Sequence, residues 1–258
     1  MQTGFKLNKI YSAGYCVGRG KIADYTLSFK KVRFYTRCFL IEHPEKGLIL
    51  IDTGYGEALL DATKTGLNAL YKTLLPVTYS SNDSIVVQLF RDGISLKDLS
   101  YLIITHFHPD HIGALPEFKD VPMIYRLDTL TQLMGFSHIR GLKHGFIRSL
   151  IPTIPKGSIS LIESQFNQMW NGFLSLDLFE DGSLLLVNLP GHALGQMGVA
   201  ISDTFFVADG KWTEGAFPHP IGLILQEDVK NYRKTFRLIE NCKSFMKILP
   251  THTIEAYD

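Results

Sequence analysis

Cysteine is scarce in this sequence: Cys16, Cys38 and Cys242 are an odd number, far apart, and none stands in a CxxC pair. That scarcity excludes a disulfide framework and a thiolate zinc site, and leaves buried free thiols in a reducing compartment as the reading. No apolar run approaches the roughly 18 to 20 residues that cross a bilayer. The opening MQTGFKLNKIYSAGYC interleaves lysine with apolar residues and lacks the continuous stretch of a secretory signal. A cytoplasmic protein with no membrane partner is therefore expected. Nor is there an excess of charge of either sign: 26 basic residues face 25 acidic ones, so the footprint of a nucleic-acid binder is missing. The expected partner is a small-molecule substrate of little charge, with a homodimer left open as the assembly. Internal repeats, low-complexity tracts and long Pro/Gly/Ser linkers are also lacking, so one domain over residues 1–258 is expected.

What is present is a hydrophobic fraction of 45%, enough for a substantial core, arranged as alternating strand and helix signals. Residues 34–41 and 47–51 read as strands joined by a turn at His43-Pro44-Glu45-Lys46, and the second runs into Asp52-Thr53-Gly54. Helices are predicted over 57–75 and 84–91, then a short apolar strand over 101–104. Beyond it come a strand over 122–125 and a helix over 127–135, and the mixed stretch 136–155 resists assignment. Strands follow over 158–162, 173–179, 183–189, 197–202 and 204–208, then an amphipathic helix over 228–245 and a last strand over 246–249. Two packed sheets flanked by helices is the economical α/β reading.

The chemistry is concentrated at strand ends. His106, His108, Asp110 and His111 lie within six residues directly after the 101–104 strand. Imidazole nitrogen and carboxylate oxygen are donors that a borderline-soft ion such as Zn²⁺ accepts, and alternation points His106, His108 and Asp110 to one side. His111 must turn the other way or begin a helix, so one segment can feed two adjacent metals. A histidine standing alone is more often an ordinary hydrogen-bonded residue, but this spacing forms a whole motif. His192 after Leu189-Pro190-Gly191, Asp209 after the 204–208 strand and His252 after the last strand are weaker singly. Each nevertheless sits at a strand's C-terminal edge, where open α/β sheets assemble sites.

The segment THFHPDH resembles the HxHxDH motif of the metallo-β-lactamase superfamily. The order Asp52-Thr53-Gly54, His106 to His111, Gly191-His192, Asp209 and His252 is similar to that family's layout across nearly the whole chain. Within the superfamily the sequence looks most like the N-acyl homoserine lactone lactonases, in length, in LSYLIITHFHPDHIGAL and in LPGHALGQMGVAI. The resemblance implies an αββα sandwich of two mixed β-sheets and a hydrolase with two Zn²⁺ ions. His106, His108 and His192 would hold one ion, Asp110, His111 and His252 the other, and Asp209 would bridge them. Asp52 would stand behind, accepting a hydrogen bond from a ligand imidazole. Attack by a hydroxide shared between the metals would open a lactone or related ester, with Asp110 passing a proton to the leaving oxygen.

True β-lactamases are disfavoured because they lack the bridging aspartate, and glyoxalase II types because little chain follows His252 to supply their helical extension. One departure stands out: the lactonases carry a tyrosine three residues after the bridging aspartate, and this chain has Trp212. Trp212 and Phe107 are read as pocket walls, Lys211 as a solvated surface residue, and the apolar residues of 130–154 as a lid. His138, His144 and His219 are assigned to surface or lid packing. Alternatives remain open: a thioester, aryl ester or phosphodiester on the same fold, the last with Arg126, Arg140, Lys143 and Arg148 on phosphate, or a redox or non-catalytic metal-binding member. Iron-dependent members typically replace one histidine of the first cluster with glutamate, and this chain keeps His108.

Overall fold

The computed structural model describes residues 4–257. The first sheet contains β1 (Lys6–Arg19), β2 (Lys31–His43), β3 (Gly47–Ile51), β4 (Val77–Thr78), β5 (Leu99–Ile103), β6 (Met123–Arg126) and β7 (Ile159–Leu161). They lie in the order β4-β1-β2-β3-β5-β6-β7. The second sheet contains β8 (Gln168–Trp170), β9 (Phe173–Asp177), β10 (Leu185–Asn188), β11 (Met197–Ile201), β12 (Thr204–Ala208) and β13 (Lys247–Pro250), in the order β13-β12-β11-β10-β9-β8. The chain then crosses back, and β14 (His252–Ala256) pairs antiparallel with β2. One edge of β2 is thereby shared, residues 32–36 with β14 and residues 39–43 with β3.

Helices cover both outer faces: α1 (Gly20–Ala23), α2 (Glu57–Ala62), α3 (Ala69–Leu74), α4 (Ile85–Arg91), α5 (Pro109–Ile112), α6 (Leu127–Met134), α7 (His138–Lys143), α8 (Pro220–Leu223) and α9 (Val229–Cys242). The layers follow from the side-chain period of two along each strand. In β5, Ile103 packs with Phe39, Ile51, Val199 and Phe206 between the sheets, whereas Leu102 packs with Leu40, Leu50 and Leu115 beneath the outer helices. In β12, Phe206 faces inward while Phe205 and Val207 meet Ile239 and Cys242 of α9. Strands buried on both faces read as continuous apolar runs, which is why 101–104 showed no alternation.

Three expectations need correction. The helix over 57–75 is two helices: Thr63 Oγ1 bonds back to the Leu59 carbonyl at 2.8 Å, and Gly66 takes a left-handed φ of 70° that ends the helical path. The strand over 246–249 is not the last, since β14 follows it. And β1, 14 residues long, was missed because its lysines and Gly14, together with register shifts at Leu7/Lys9 and Ser12/Tyr15, break the alternation that marks a strand. The three cysteines are buried free thiols, as expected. No helix among the described residues is long and apolar enough to cross a membrane.

Candidate metal centre

β5 delivers the chain to Thr105 in extended form. His108 (ψ 149°) then caps α5, Pro109 supplies its first turn, and the His111 amide bonds the His108 carbonyl at 3.0 Å. The turn separates the donors. His106 and His108 join His192, while Asp110 and His111 join Asp209 and His252, and within each set the ligand atoms lie within 4.8 Å of one another. His192 arrives after β10, Asp209 after β12, and His252 at the start of β14. All seven residues expected to converge therefore do so, at one end of the paired sheets.

Asp209 stands between the two sets. Its Oδ2 is 3.3 Å from His192 Nε2 and 3.3 Å from His252 Nε2, and its Oδ1 is 3.4 Å from His111 Nε2. Asp110 Oδ2 lies 3.3 Å from His252 Nε2. Buried polar atoms ordinarily find partners, yet His106 Nε2, His111 Nε2 and Asp209 Oδ1 have none, although each points into the cluster. Unpartnered nitrogen and oxygen atoms gathered in one small buried volume are what a donor set for divalent cations requires, so the residues present fit a metal pair.

Behind the cluster, Asp52 Oδ2 accepts from His111 Nδ1 at 2.7 Å and from Thr105 Oγ1 at 2.7 Å, and its Oδ1 accepts from the Thr105 amide at 2.9 Å. Thr105 Oγ1 also lies 3.2 Å from His106 Nδ1. His252 Nδ1 faces the Tyr35 carbonyl at 3.3 Å, and His192 Nδ1 meets Gln226 Oε1 at 2.9 Å. Burial pushes His106 well below the ordinary histidine value, and it lowers His108 to about 3 and His192 by less. Their lone pairs are free at neutral pH. Burial acts the same way on His111 and His252, but neighbouring carboxylates outweigh it. Asp52, Asp209 and Asp110 hold His111 well above the usual value, and Asp209 and Asp110 lift His252 to about 9. Burial would raise Asp110, yet His111 and His252 hold it at about 2.

Other expectations change. Lys211 is not solvated: at 1% exposure its Nζ donates to Glu240 Oε1 at 2.6 Å and to the Gly215 carbonyl. Phe107 is 5% exposed and packs in the core beneath the outer helices, so it does not line an open pocket. Trp212 does reach the site, its ring edge-on to His192 at 5.8 Å. In the 130–154 stretch, Leu130, Leu133, Phe136, Phe146, Ile147 and Leu150 are buried in the core, and Gly145 packs against His108, where an added Cβ would come within 2.7 Å of the ring. Arg126 is buried and bidentate to Asp128 at 2.9 and 2.8 Å, and Arg148 donates to the Met134 and Phe136 carbonyls. Arg126 is thus shut away from solvent and Arg148 is engaged with backbone carbonyls. His138 bonds Asn68, His144 pairs with Glu227 and His219 caps α8, all packing roles as expected. Sequence reasoning missed Thr105, Gln226 and Arg37, whose guanidinium donates to the Pro250 and Thr251 carbonyls just before His252. No spacing marks Gln226 or Arg37, which act across long stretches of chain, whereas Thr105 adjoins His106 and acts both on that neighbour and on the distant Asp52.

The sequence profile of the metallo-beta-lactamase superfamily matches residues 32–244, and the chain belongs to that superfamily. A probable metallo-hydrolase of Mycobacterium tuberculosis is 27% identical over 165 residues, 63% of this chain and 51% of that protein, so the match spans about half of this curated relative's length. An N-acyl homoserine lactonase of Bacillus cereus is 33% identical over 87 residues, 34% of either chain. Among solved structures, an N-acyl homoserine lactone hydrolase with N-hexanoyl-L-homoserine at its catalytic metal centre superposes with a TM-score of 0.70 at 20% identity, covering 96% of this chain and 94% of that one. A probable metal-dependent hydrolase from Staphylococcus aureus gives 0.72 at 15% identity, covering 98% and 91%. A dizinc quorum-quenching lactonase gives 0.61 at 16% identity, covering 96% and 90%. These likenesses establish the αββα sandwich expected from the sequence.

Proposed function

We propose that the protein is a dinuclear zinc-dependent hydrolase of a lactone or related carboxylic ester. The observation that carries the reading is the position of Asp209, within 3.4 Å of donors from both sets and with a buried oxygen that has no other partner. His106, His108 and His192 would hold one cation, Asp110, His111 and His252 the other, with Asp209 common to both. Two such cations supply a water acidified to near-neutral pKa and a polarised scissile carbonyl.

The chain's own residues do the rest. Asp52 and Gln226 orient His111 and His192. Asp110 is the least buried carboxylate of the set and faces His252 Nε2, so it can take a proton at Oδ2 and return it to the leaving oxygen. Trp212 lies beside His192, ring centroids 5.8 Å apart, and would offer an indole N–H where the resemblance to the lactonases implies a phenol. The lactonase likenesses support an ester over a phosphodiester, as does the internal pairing of Arg126 and Arg148.

Elemental analysis of the purified protein, run beside a panel of acyl-lactones, aryl esters, thioesters and phosphodiesters, tests the proposal. Two zinc equivalents and lactone turnover that is lost on chelation and restored by Zn²⁺ are expected. Asp209→Ala should lower kcat/KM by about a hundredfold or more, the scale seen when one group stabilising developing charge is removed. Full activity without divalent metal, or inertness toward every lactone, would defeat it.

A further inference from the structure

Gln226 lies between α8 and α9, 8% exposed, with its amide held at both ends. Its Nε2 donates to the Gly222 carbonyl at 3.2 Å, and its Oε1 meets His192 Nδ1 at 2.9 Å. The first bond decides the second. A backbone carbonyl only accepts, so the NH₂ end must face Gly222 and the oxygen must face the imidazole. An imidazole nitrogen facing a carbonyl oxygen carries the proton. His192 is thereby left with its lone pair on Nε2, 3.0 Å from His108 Nδ1 and 3.3 Å from Asp209 Oδ2.

The backbone fixes the same register. The Glu227 amide bonds the His192 carbonyl at 3.1 Å, and the Asp228 amide bonds the Gly191 carbonyl at 2.9 Å. Gly222 itself packs closely on Ile22, where an added Cβ would come within 2.2 Å of the carbonyl oxygen. The other imidazoles use different partners: Asp52 for His111, Thr105 for His106 and the Tyr35 carbonyl for His252. Gln226 therefore acts on one set of donors and not on the other.

We infer that Gln226 is a positioning residue that sets the Nδ1–H tautomer and the orientation of His192, and so governs the cation of the His106, His108 and His192 set selectively. The inference rests on the two-cation reading above. Its test is a Zn²⁺ titration of the metal-stripped, full-length protein against a chromophoric chelator, with Gln226→Leu and Gln226→Glu beside wild type. Leucine, which keeps bulk and loses the acceptor, is expected to weaken one of two sites about 10- to 100-fold, the usual scale for a group behind a metal ligand. The other site should keep its affinity, and glutamate, which keeps an acceptor oxygen, should restore the first.

Nitrogen-15 spectra of histidine-labelled, metal-free wild type are expected to show His192 protonated at Nδ1, and the leucine variant to lose that signature. Unchanged affinity at both sites in Gln226→Leu, equal weakening of both, or an Nε2–H tautomer in wild type would each overturn the inference. Should the leucine variant fail to fold, Gln226→Asn withdraws the acceptor by one methylene and is read in the same way. A wild type that binds no zinc would defeat the two-cation reading instead, and the tautomer spectrum would still decide the role of Gln226.

Discussion

Asp52 occupies a left-handed backbone conformation, φ 58°, immediately after β3, and its carboxylate takes the three hydrogen bonds that hold Thr105 and His111. A conformation disfavoured for a residue with a Cβ persists where its surroundings over-determine it, and such positions cluster at functional sites. Asp52→Ala should therefore weaken zinc at the His111 set by about 10- to 100-fold. It should also lower the urea-unfolding free energy of the metal-free protein by about 1–3 kcal/mol, since the Thr105 amide and the His111 N–H are left buried and unpaired. The charges around His111 and His252 give a second expectation. Neighbouring carboxylates raise both imidazoles from the ordinary histidine value, His252 to about 9, so His252 carries a proton at pH 7 that an incoming cation must displace. Zinc affinity should rise as pH increases toward 9, with proton release detectable as a dependence of calorimetric heats on buffer ionisation enthalpy. Affinity that is flat between pH 6.5 and 9 would refute it. At Trp212, replacement by tyrosine should raise lactone kcat/KM several-fold if the phenol is the better donor to a developing charge. At this scale the seven residues that converge, and Asp52 behind them, were legible in the sequence, because ligand chemistry ties residue type to spacing. It did not reveal Gln226, whose role depends only on where the fold carries it, or Thr105, whose hydroxyl beside His106 is anchored by the distant Asp52.

The loop from Asp209 to Phe217 shows how elements position residues. Lys211 reaches inward to Glu240 of α9, lies 4.7 Å from the Phe236 ring centroid, and donates to the Gly215 carbonyl. Asp24 accepts from the Ala216 amide at 2.9 Å, and Arg37 lies 3.6 Å from Glu214. Asp209 and Trp212 thus ride on a loop held by buried charge. Lys211 is buried while Glu240 is half-buried, and leaving a buried ammonium without its partner costs more than replacing both groups, so Glu240→Ala should destabilise more than the double variant Lys211→Met/Glu240→Gln. Chemical denaturation of the two variants checks the order, and the reverse order would show the pair to be incidental. Lys211 was misread from sequence because a lysine beside a glycine in a loop ordinarily points to water. Gly191, at φ 129°, is a second constraint: a Cβ there would come within 2.2 Å of the Tyr232 amide nitrogen, so Gly191→Ala must push α9 away from the His192 turn. The strands buried on both faces and α9 were legible from their apolar content and period. The break between α2 and α3 was not, since apolar residues continue through it and only Gly66 signals the stop.

At the level of the whole molecule, the first sheet supplies His106, His108, Asp110 and His111, the second supplies His192 and Asp209, and His252 sits where the chain passes from one to the other. Cations bound by this cluster would join the two sheets, so ligation would add to folding stability by mass action, about 4 kcal/mol at a thousandfold excess over Kd. Removal of metal should lower the melting temperature cooperatively, with both sheets unfolding together. β14 has a consequence of its own: apart from this one strand, everything before residue 162 belongs to the first sheet and everything after residue 167 to the second. The later half of the polypeptide thus lends a strand to the earlier half, like a hand reaching across to clasp its opposite arm. A chain severed in the connection near Ser164 would still own that grip, and its two pieces, produced together, would be expected to reassociate.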